Sequence, residues 1–187
     1  RRWDGLLHSE VPTDYDDVIS RDVDRSLHRF EEEDDRRQGT KAQRRRCSRA
    51  WQARRDSLRR VLRSVVGSSG GEVHYYQGLH DVASVLLVVV MDPNLVCGML
   101  ERVCFDFLRD CCQSDFAALI PILDLVFTMV TKVDPKLGAA LKASGVNAAV
   151  TLPWIITWFA HDVRNTAAVE RLFDACLAGH PSLPLYL

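Results

Sequence analysis

Between Tyr15 and Phe30 the apolar residues Val18, Ile19, Val23, Leu27 and Phe30 fall near one helical stripe, which predicts a single helix across that stretch. Five acids follow, Glu31 to Asp35, and then Arg36-Arg37-Gln38-Gly39. Runs of like charge repel and resist burial, so residues 31–41 are expected to form a poorly ordered, solvated loop. A second stripe, Trp51, Leu58, Leu62 and Val65, runs through a strongly basic segment and predicts an amphipathic helix from about Ala42 to Val66. Gly67-Ser68-Ser69-Gly70-Gly71 interrupts it. After His74-Tyr75-Tyr76-Gln77-Gly78 the chain is largely apolar from Leu79 to Met91. Val88-Val89-Val90 has the β-branched composition of a strand. The run nevertheless continues for about three helical turns from Asp81, and no other segment offers a strand to pair with it. Helix is therefore predicted.

Breaks mark out the second half. Asp92-Pro93 and Asp134-Pro135 each place a capping carboxylate before a proline at the first helical position. Ser114 before Asp115 reads as a further cap, Gly145 as a helix stop, and Gly179-His180-Pro181 as the end of the last helix. Helices are expected at about 94–112, 115–131, 135–144, 147–161 and 165–178. Hairpin signals are absent from the sequence, and no repeat with a period of 20–50 residues is visible. The fold class expected is all-α.

The 187 residues, 47% of them hydrophobic, suffice for one domain or two small subdomains sharing a core. The division expected places one subdomain at about 1–91 and the other at about 92–187. The chain opens on Arg1-Arg2-Trp3-Asp4 rather than on a signal peptide. Its longest apolar run, Val82 to Met91, is well short of the roughly 20 residues a membrane span needs. No anchor is expected within these residues.

The net charge of −1 hides an asymmetry: residues 1–66 hold 17 Lys/Arg against 13 Asp/Glu, and residues 67–187 hold 7 against 12. Residues 36–63 alone carry 12 Lys/Arg against the single acid Asp56. Such a stripe could follow a phosphate backbone, lie on an anionic membrane or bind calmodulin. No recognised nucleic-acid module accompanies it, and the simpler reading is a solvated helix face whose long stems cover apolar surface. Cys97, Cys104 and Cys111 are seven apart, along one helix face, and Cys47, Cys112 and Cys176 complete the six. Without a C-x-x-C pair or a nearby histidine they read as small core residues in a reducing compartment rather than metal ligands or a disulfide framework.

Several chemistries drop out. The sequence has no phosphate-binding Gly-rich loop ending in Lys-Ser/Thr, no G-x-G-x-x-G, and no G-x-S-x-G elbow. His74 and His80 are six apart, unsuited to an i, i+4 zinc pair, and no metal site is expected. His80-Asp81 could imitate a base with its orienter, but no nucleophile pairs with it, and a structural histidine is the better reading. Two short motifs remain. Ile19-Ser20-Arg21-Asp22-Val23-Asp24-Arg25 is an I-x-x-D-x-x-R pattern in which Asp22 and Arg25, three apart on a helix, can pair. Tyr75-Tyr76-Gln77-Gly78-Leu79-His80-Asp81 is Y-x-Q-G-x-x-D. Alone, the first is a surface ion pair and the second an aromatic turn before a helix.

In this order, the two resemble the finger motifs of TBC-domain Rab GTPase-activating proteins. Arg2-Trp3 with Leu6-Leu7 resembles the opening of that domain, with a shorter Arg–Trp spacing. Leu152-Pro153-Trp154-Ile155-Ile156-Thr157-Trp158-Phe159 and Val169-Glu170-Arg171-Leu172-Phe173-Asp174 resemble its later blocks. His74 to Gly78, Ile156 to Phe159 and His180-Pro181-Ser182-Leu183-Pro184 look most like the ER-associated subgroup acting on Rabs of the early secretory pathway. Phe30-Glu31 stands where the family usually has Phe-Pro, residues 31–46 look like an inserted loop, and the final helices of such a domain do not follow.

The resemblance implies a TBC-type helical domain over residues 1–187, shortened at its C-terminal end, with both fingers in the first subdomain. It implies Arg25 as an arginine finger and Gln77 as a glutamine finger acting on a GTP-bound Rab in vesicle traffic. Asp22 would orient Arg25, Tyr75 would fix the loop presenting Gln77, and Gly78 would allow close approach to the partner. Ile19, Tyr76 and Asp81 complete the supporting set. GTP and Mg²⁺ would belong to the partner, so no cofactor is expected here. A monomer is implied, without nucleic acid, in the cytoplasm and reaching ER or Golgi membranes through regions outside this chain. The alternatives are an inactive Rab-binding scaffold and a helical module binding acidic partners or anionic membrane through residues 36–63.

Overall fold

The computed structural model describes residues 5, 7, 12–28, 30–32 and 41–187. All regular structure among them is helical. In chain order the α-helices are α1 (Asp16–Asp24), α2 (Lys41–Ser68), α3 (Leu79–Val90), α4 (Pro93–Asp106), α5 (Ile120–Val133), α6 (Pro135–Ser144), α7 (Leu152–Thr157) and α8 (Thr166–Ala178). Single 3-10 turns lie at Ala117–Leu119, Ala148–Thr151 and Leu183–Leu185. Arg2, Trp3 and Leu6 of the opening motif lie outside the described residues, as does most of the expected loop at 31–41.

The central element is α3, which packs against α1, α2, α4, α7 and α8. That position explains its composition: a helix surrounded on most sides has little use for a polar face. Val88-Val89-Val90 is helical, as the length of the run predicted. The stripe on α2 is buried as expected, Trp51, Leu58, Leu62 and Val65 all being at most 2% exposed. The main core takes these residues, Ile19 and Val23 of α1, Leu100 and Val103 of α4, and Trp158, Val169 and Phe173 from the second half. A separate small cluster, Leu123, Ala148 and Ile155, lies under α5. Of the cysteines, Cys97, Cys104, Cys111, Cys112 and Cys176 are buried and Cys47 is partly exposed, all as free thiols.

Capping chemistry holds where it was simplest. The Asp92 side chain accepts from the Asn94 and Leu95 amides, and Asp134 accepts from Lys136 and Leu137. Gly145 ends α6 in the left-handed conformation at φ 69°. Four helices are shorter than predicted. The stretch 115–131 becomes a 3-10 turn at Ala117–Leu119 followed by α5, which starts at Ile120 and runs to Val133. The stretch Tyr15 to Phe30 breaks after Asp24: Leu27 has φ 68°, and a new helical segment begins at His28. The stretch 94–112 ends at Asp106, so Cys111 lies beyond the helix. The stretch 147–161 becomes a 3-10 turn, the short α7, and two successive left-handed residues, Trp158 and Phe159. Burial decides the last case. Trp158 is 1% exposed, wedged edge-on between Phe107 and Phe173 at centroid distances of 5.7 and 5.2 Å. Asp115, rather than Ser114, caps the turn before α5 by accepting from the Ala117 amide.

Candidate functional site

The end of α1 places Arg25. Its position is the C-cap, where the helical backbone stops, so the side chain leaves the helix end rather than its flank. The break is tied on the inside. Ser26 Oγ donates to the Asp22 carbonyl at 2.6 Å, and the Ser26 amide donates to the Val23 carbonyl at 3.0 Å. Leu27, although left-handed, is 4% exposed in the core, and that burial offsets the ~1–2 kcal/mol such a conformation costs.

The Arg25 guanidinium donates to Asp22 Oδ1 at 2.5 Å, as the i, i+3 spacing predicted. The arginine side chain is 57% exposed and the aspartate 4%. The buried carboxylate is thus the fixed member and the half-solvated guanidinium the member presented outward. The other oxygen, Asp22 Oδ2, accepts from the Tyr75 hydroxyl at 2.8 Å. One carboxylate therefore joins two motifs 53 residues apart. Burial first, then this bond to Asp22, pushes the Tyr75 phenol far above its ordinary range, so it remains a donor.

The segment before α3 is held by further bonds. The His74 amide donates to the Cys112 carbonyl at 2.9 Å, and the His74 ring meets the Tyr15 hydroxyl at 2.7 Å. Tyr76 is buried and donates to the Ile156 carbonyl at 2.7 Å. Gln77, between these anchors and α3, is exposed. Gly78 is the N-cap of α3 at φ 124°, ψ −25°. A Cβ there would lie 3.0 Å from Thr157 Cγ2 and 3.4 Å from Ile156 Cδ1. The close approach that needs glycine is therefore to α7 of the same chain.

Arg25 and Gln77 line one open cleft of about 420 Å³, with Gly78, His80, Asp81 and His161 on its polar side and Phe116, Leu152, Pro153 and Ile156 forming an apolar ledge. Asp81 Oδ2 is 3.1 Å from His161 Nδ1 across the cleft. Such a site can set a planar cationic fork and a carboxamide, both donor and acceptor, against one ligand. A larger groove of about 650 Å³ lies among Val130, Leu137, Trp154 and Leu185 and contains neither residue. Of the expected supporting residues, Ile19, Asp22, Tyr75 and Tyr76 are buried and do not line the cleft; Gly78, also buried, and the partly exposed Asp81 do.

The pattern of the chain did not single out Arg55, which holds the segment that follows Arg25. It is buried on α2, where its Nε donates to the Ser26 carbonyl at 3.3 Å and its Nη2 to Glu31 Oε2 at 2.5 Å. Its signal was present: Trp51, Arg55, Leu58 and Leu62 share one stripe, so a charge stood on the face predicted to be buried. Arg59 and Arg63 continue the row, pairing with Asp24 at 2.9 Å and with Asp16. Part of the basic stripe is thus neutralised by α1. Glu31 and Glu32 are helical, so the expected loop does not begin at residue 31. Among the described residues no His/Cys/Asp/Glu cluster suits a metal ion, and no single helix is long and apolar enough to cross a membrane.

This helical domain, with its arginine and glutamine facing one cleft, matches the Rab-GTPase-TBC domain family over residues 5–187, and the chain belongs to that family. It is 35% identical over 132 residues, 71% of its length, to the GTPase-activating protein gyp10 of Schizosaccharomyces pombe, 35% of which is covered. It is 30% identical over 179 residues, 95% of its length, to TBC1 domain family member 20 of Mus musculus, of which 40% is covered. The human protein of that name is 33% identical over 115 residues, 62% of this chain and 28% of the relative. The chain therefore spans well under half the length of these curated relatives.

Proposed function

We propose that this domain accelerates GTP hydrolysis by a GTP-bound Rab, with Arg25 as arginine finger and Gln77 as glutamine finger. One observation carries the reading: residues from two motifs far apart in sequence line a single cleft, tied through Asp22 to Tyr75. Hydrolysis spreads negative charge over the transferring phosphoryl group and requires a water held in line. Arg25 is a permanent cation with a planar fork, half exposed yet already oriented by a buried carboxylate. Gln77 can accept from the water and donate toward phosphate, replacing the glutamine of the GTPase. GTP and Mg²⁺ belong to the partner. The similarity to gyp10, named a GTPase-activating protein, supports the same activity here. The substrate class we propose is a Rab of the early secretory pathway, and the role is in vesicle traffic on the cytoplasmic face of ER or Golgi membranes, with the domain acting as a monomer.

Single-turnover GTP hydrolysis across a panel of purified Rabs tests this. Arg25→Ala is expected to lose about 10³–10⁵ in stimulated rate, about 4–7 kcal/mol. Arg25→Lys should recover little, because an ammonium lacks the fork. Gln77→Ala should slow hydrolysis with little change in Rab affinity, and a Rab lacking its own switch glutamine should still be stimulated. Undiminished stimulation by both alanine variants would leave a non-catalytic Rab-binding scaffold as the reading.

A further inference from the structure

His80 lies on the first turn of α3, buried, immediately beneath the Gln77–Gly78 peptide. The Gly78 amide donates to its Nδ1 at 3.3 Å. The Tyr75 hydroxyl is also 3.3 Å from Nδ1, but its hydrogen is committed to Asp22 Oδ2 at 2.8 Å. A proton on Nδ1 would point at the Gly78 N–H, donor against donor. Asp22 Oδ2 is also 3.5 Å from Nδ1, but it makes no hydrogen bond to the ring and already accepts the Tyr75 hydrogen. The Gly78 donor assigns the lone pair to Nδ1, and the hydrogen of the neutral ring then sits on Nε2, facing Asp81 Oδ1 at 3.6 Å. A glycine N-cap has no side chain with which to organise the helix start, and no side chain caps α3 from Gly78. The imidazole reaches back to the N-cap amide as the glutamate of a capping box does.

We infer that His80 is a positioning residue for the glutamine finger: its Nδ1 holds the Gly78 amide, and so the orientation of the peptide from which Gln77 projects into the cleft. The inference rests on the proposed role of Gln77 and names what sets that residue's direction. The Gln77–Gly78 peptide unit is rigid, so fixing its N–H restricts both Gln77 ψ and Gly78 φ. Titratable and charged groups from four parts of the chain face the ring. Asp22 and Arg25 face it from α1, Asp81 from α3, His161 from beyond α7, and Tyr75 from the preceding loop. Burial lowers its proton affinity most; Asp81 and Asp22 oppose this, while Arg25 and His161 add to it, and the balance stays below the ordinary histidine range. The neutral acceptor form is thus kept at neutral pH. On acidification through the lowered pKa, Nδ1 gains a proton, and the Gly78 amide loses its acceptor. The folded state, having the lower pKa, loses stability as pH falls from the unfolded value to the folded one.

Three substitutions separate this role from packing. In His80→Asn the carboxamide oxygen branches from Cγ, where Nδ1 stood; in His80→Gln it reaches the Nε2 position instead; His80→Leu keeps bulk alone. The readouts are single-turnover hydrolysis on a responsive Rab, affinity for the GTP-loaded Rab, thermal melting, and ¹⁵N imidazole spectra of the chain alone. His80→Asn should stay within about threefold of wild type, whereas His80→Gln and His80→Leu should lose about a hundredfold in rate at nearly unchanged affinity. Wild-type stimulation should fall on acidification below the ordinary histidine range, and that limb should vanish in His80→Asn. The spectra should show an unprotonated Nδ1. Full stimulation by His80→Leu or His80→Gln, or a protonated Nδ1 at neutral pH, overturns the inference. A wild-type chain that stimulates no Rab, or Arg25→Ala equal to wild type, overturns the GTPase-activating reading itself.

Discussion

At Gly78 a single hydrogen atom in place of a side chain sets the shape of the site. Its φ of 124° is strained for any L residue, and Thr157 Cγ2 stands 3.0 Å from where a Cβ would lie. Gly78→Ala is expected to cost about 1–3 kcal/mol in stability and to displace Gln77, lowering stimulated hydrolysis more than Rab affinity. Thr157→Ser removes the clashing methyl but leaves the backbone strain. The double variant should therefore recover only part of the urea midpoint. Full recovery would show that φ is not the constraint. The motif was legible in the sequence as residue types, but the resemblance implied that Gly78 approaches the partner, whereas the contact seen is within the chain. Which surface approaches it was not legible, because Thr157 is 79 residues away and only the packing of α7 on α3 brings the two together.

At the scale of elements, α2 acts as a brace for the end of α1. Arg55, Arg59 and Arg63 recur every four residues on one side of α2 and meet Glu31, Asp24 and Asp16. The more exposed outer pairs contribute little each. Arg55 is different: its side chain is 9% exposed and that of Glu31 18%, so removing the cation leaves a poorly solvated carboxylate and the Ser26 carbonyl without this donor. Arg55→Met is expected to destabilise the domain by about 3 kcal/mol in urea melts. Adding Glu31→Gln to Arg55→Met should restore part of the loss, the non-additivity measuring the pair. Simple additivity would contradict the assignment. The stimulated rate should fall as well, since Ser26 follows Arg25, the proposed finger. Sequence pattern predicted these helices but not the break after Asp24, because the apolar spacing continues through Leu27 and Phe30 in helical register. Tertiary burial of Leu27 in a left-handed conformation decides the break.

For the whole molecule, the described chain on the two sides of residues 33–40 is tied together. Phe30 stacks on Trp51 with ring centroids 6.3 Å apart, and Glu31 pairs with Arg55. The chain on either side of residues 33–40 is thus joined by contacts that do not involve those residues. Replacing them with a shorter Gly-Ser linker should leave the melting temperature and stimulated hydrolysis nearly unchanged, since loop-closure entropy varies slowly with length. A large loss of hydrolysis with the fold intact would assign the stretch a direct part in the reaction.

Local rules were enough to establish the helical class, the capped starts at Asp92 and Asp134, the stop at Gly145, the buried stripe of α2 and the pairing of Arg25 with Asp22. Each depends on residues within a few positions of one another, where spacing along a helix determines distance in space. The two finger motifs were also visible there, but as separate signals. That Asp22 serves Arg25 and Tyr75 at once, that Arg55 faces Ser26, and that His80 turns its ring toward the Gly78 amide and the Tyr75 hydroxyl were settled by tertiary structure. Contacts between residues tens of positions apart follow from how helices pack. Buried polar groups then take whichever partners that packing supplies, because leaving them unpaired costs more than the bend or break that reaches a partner.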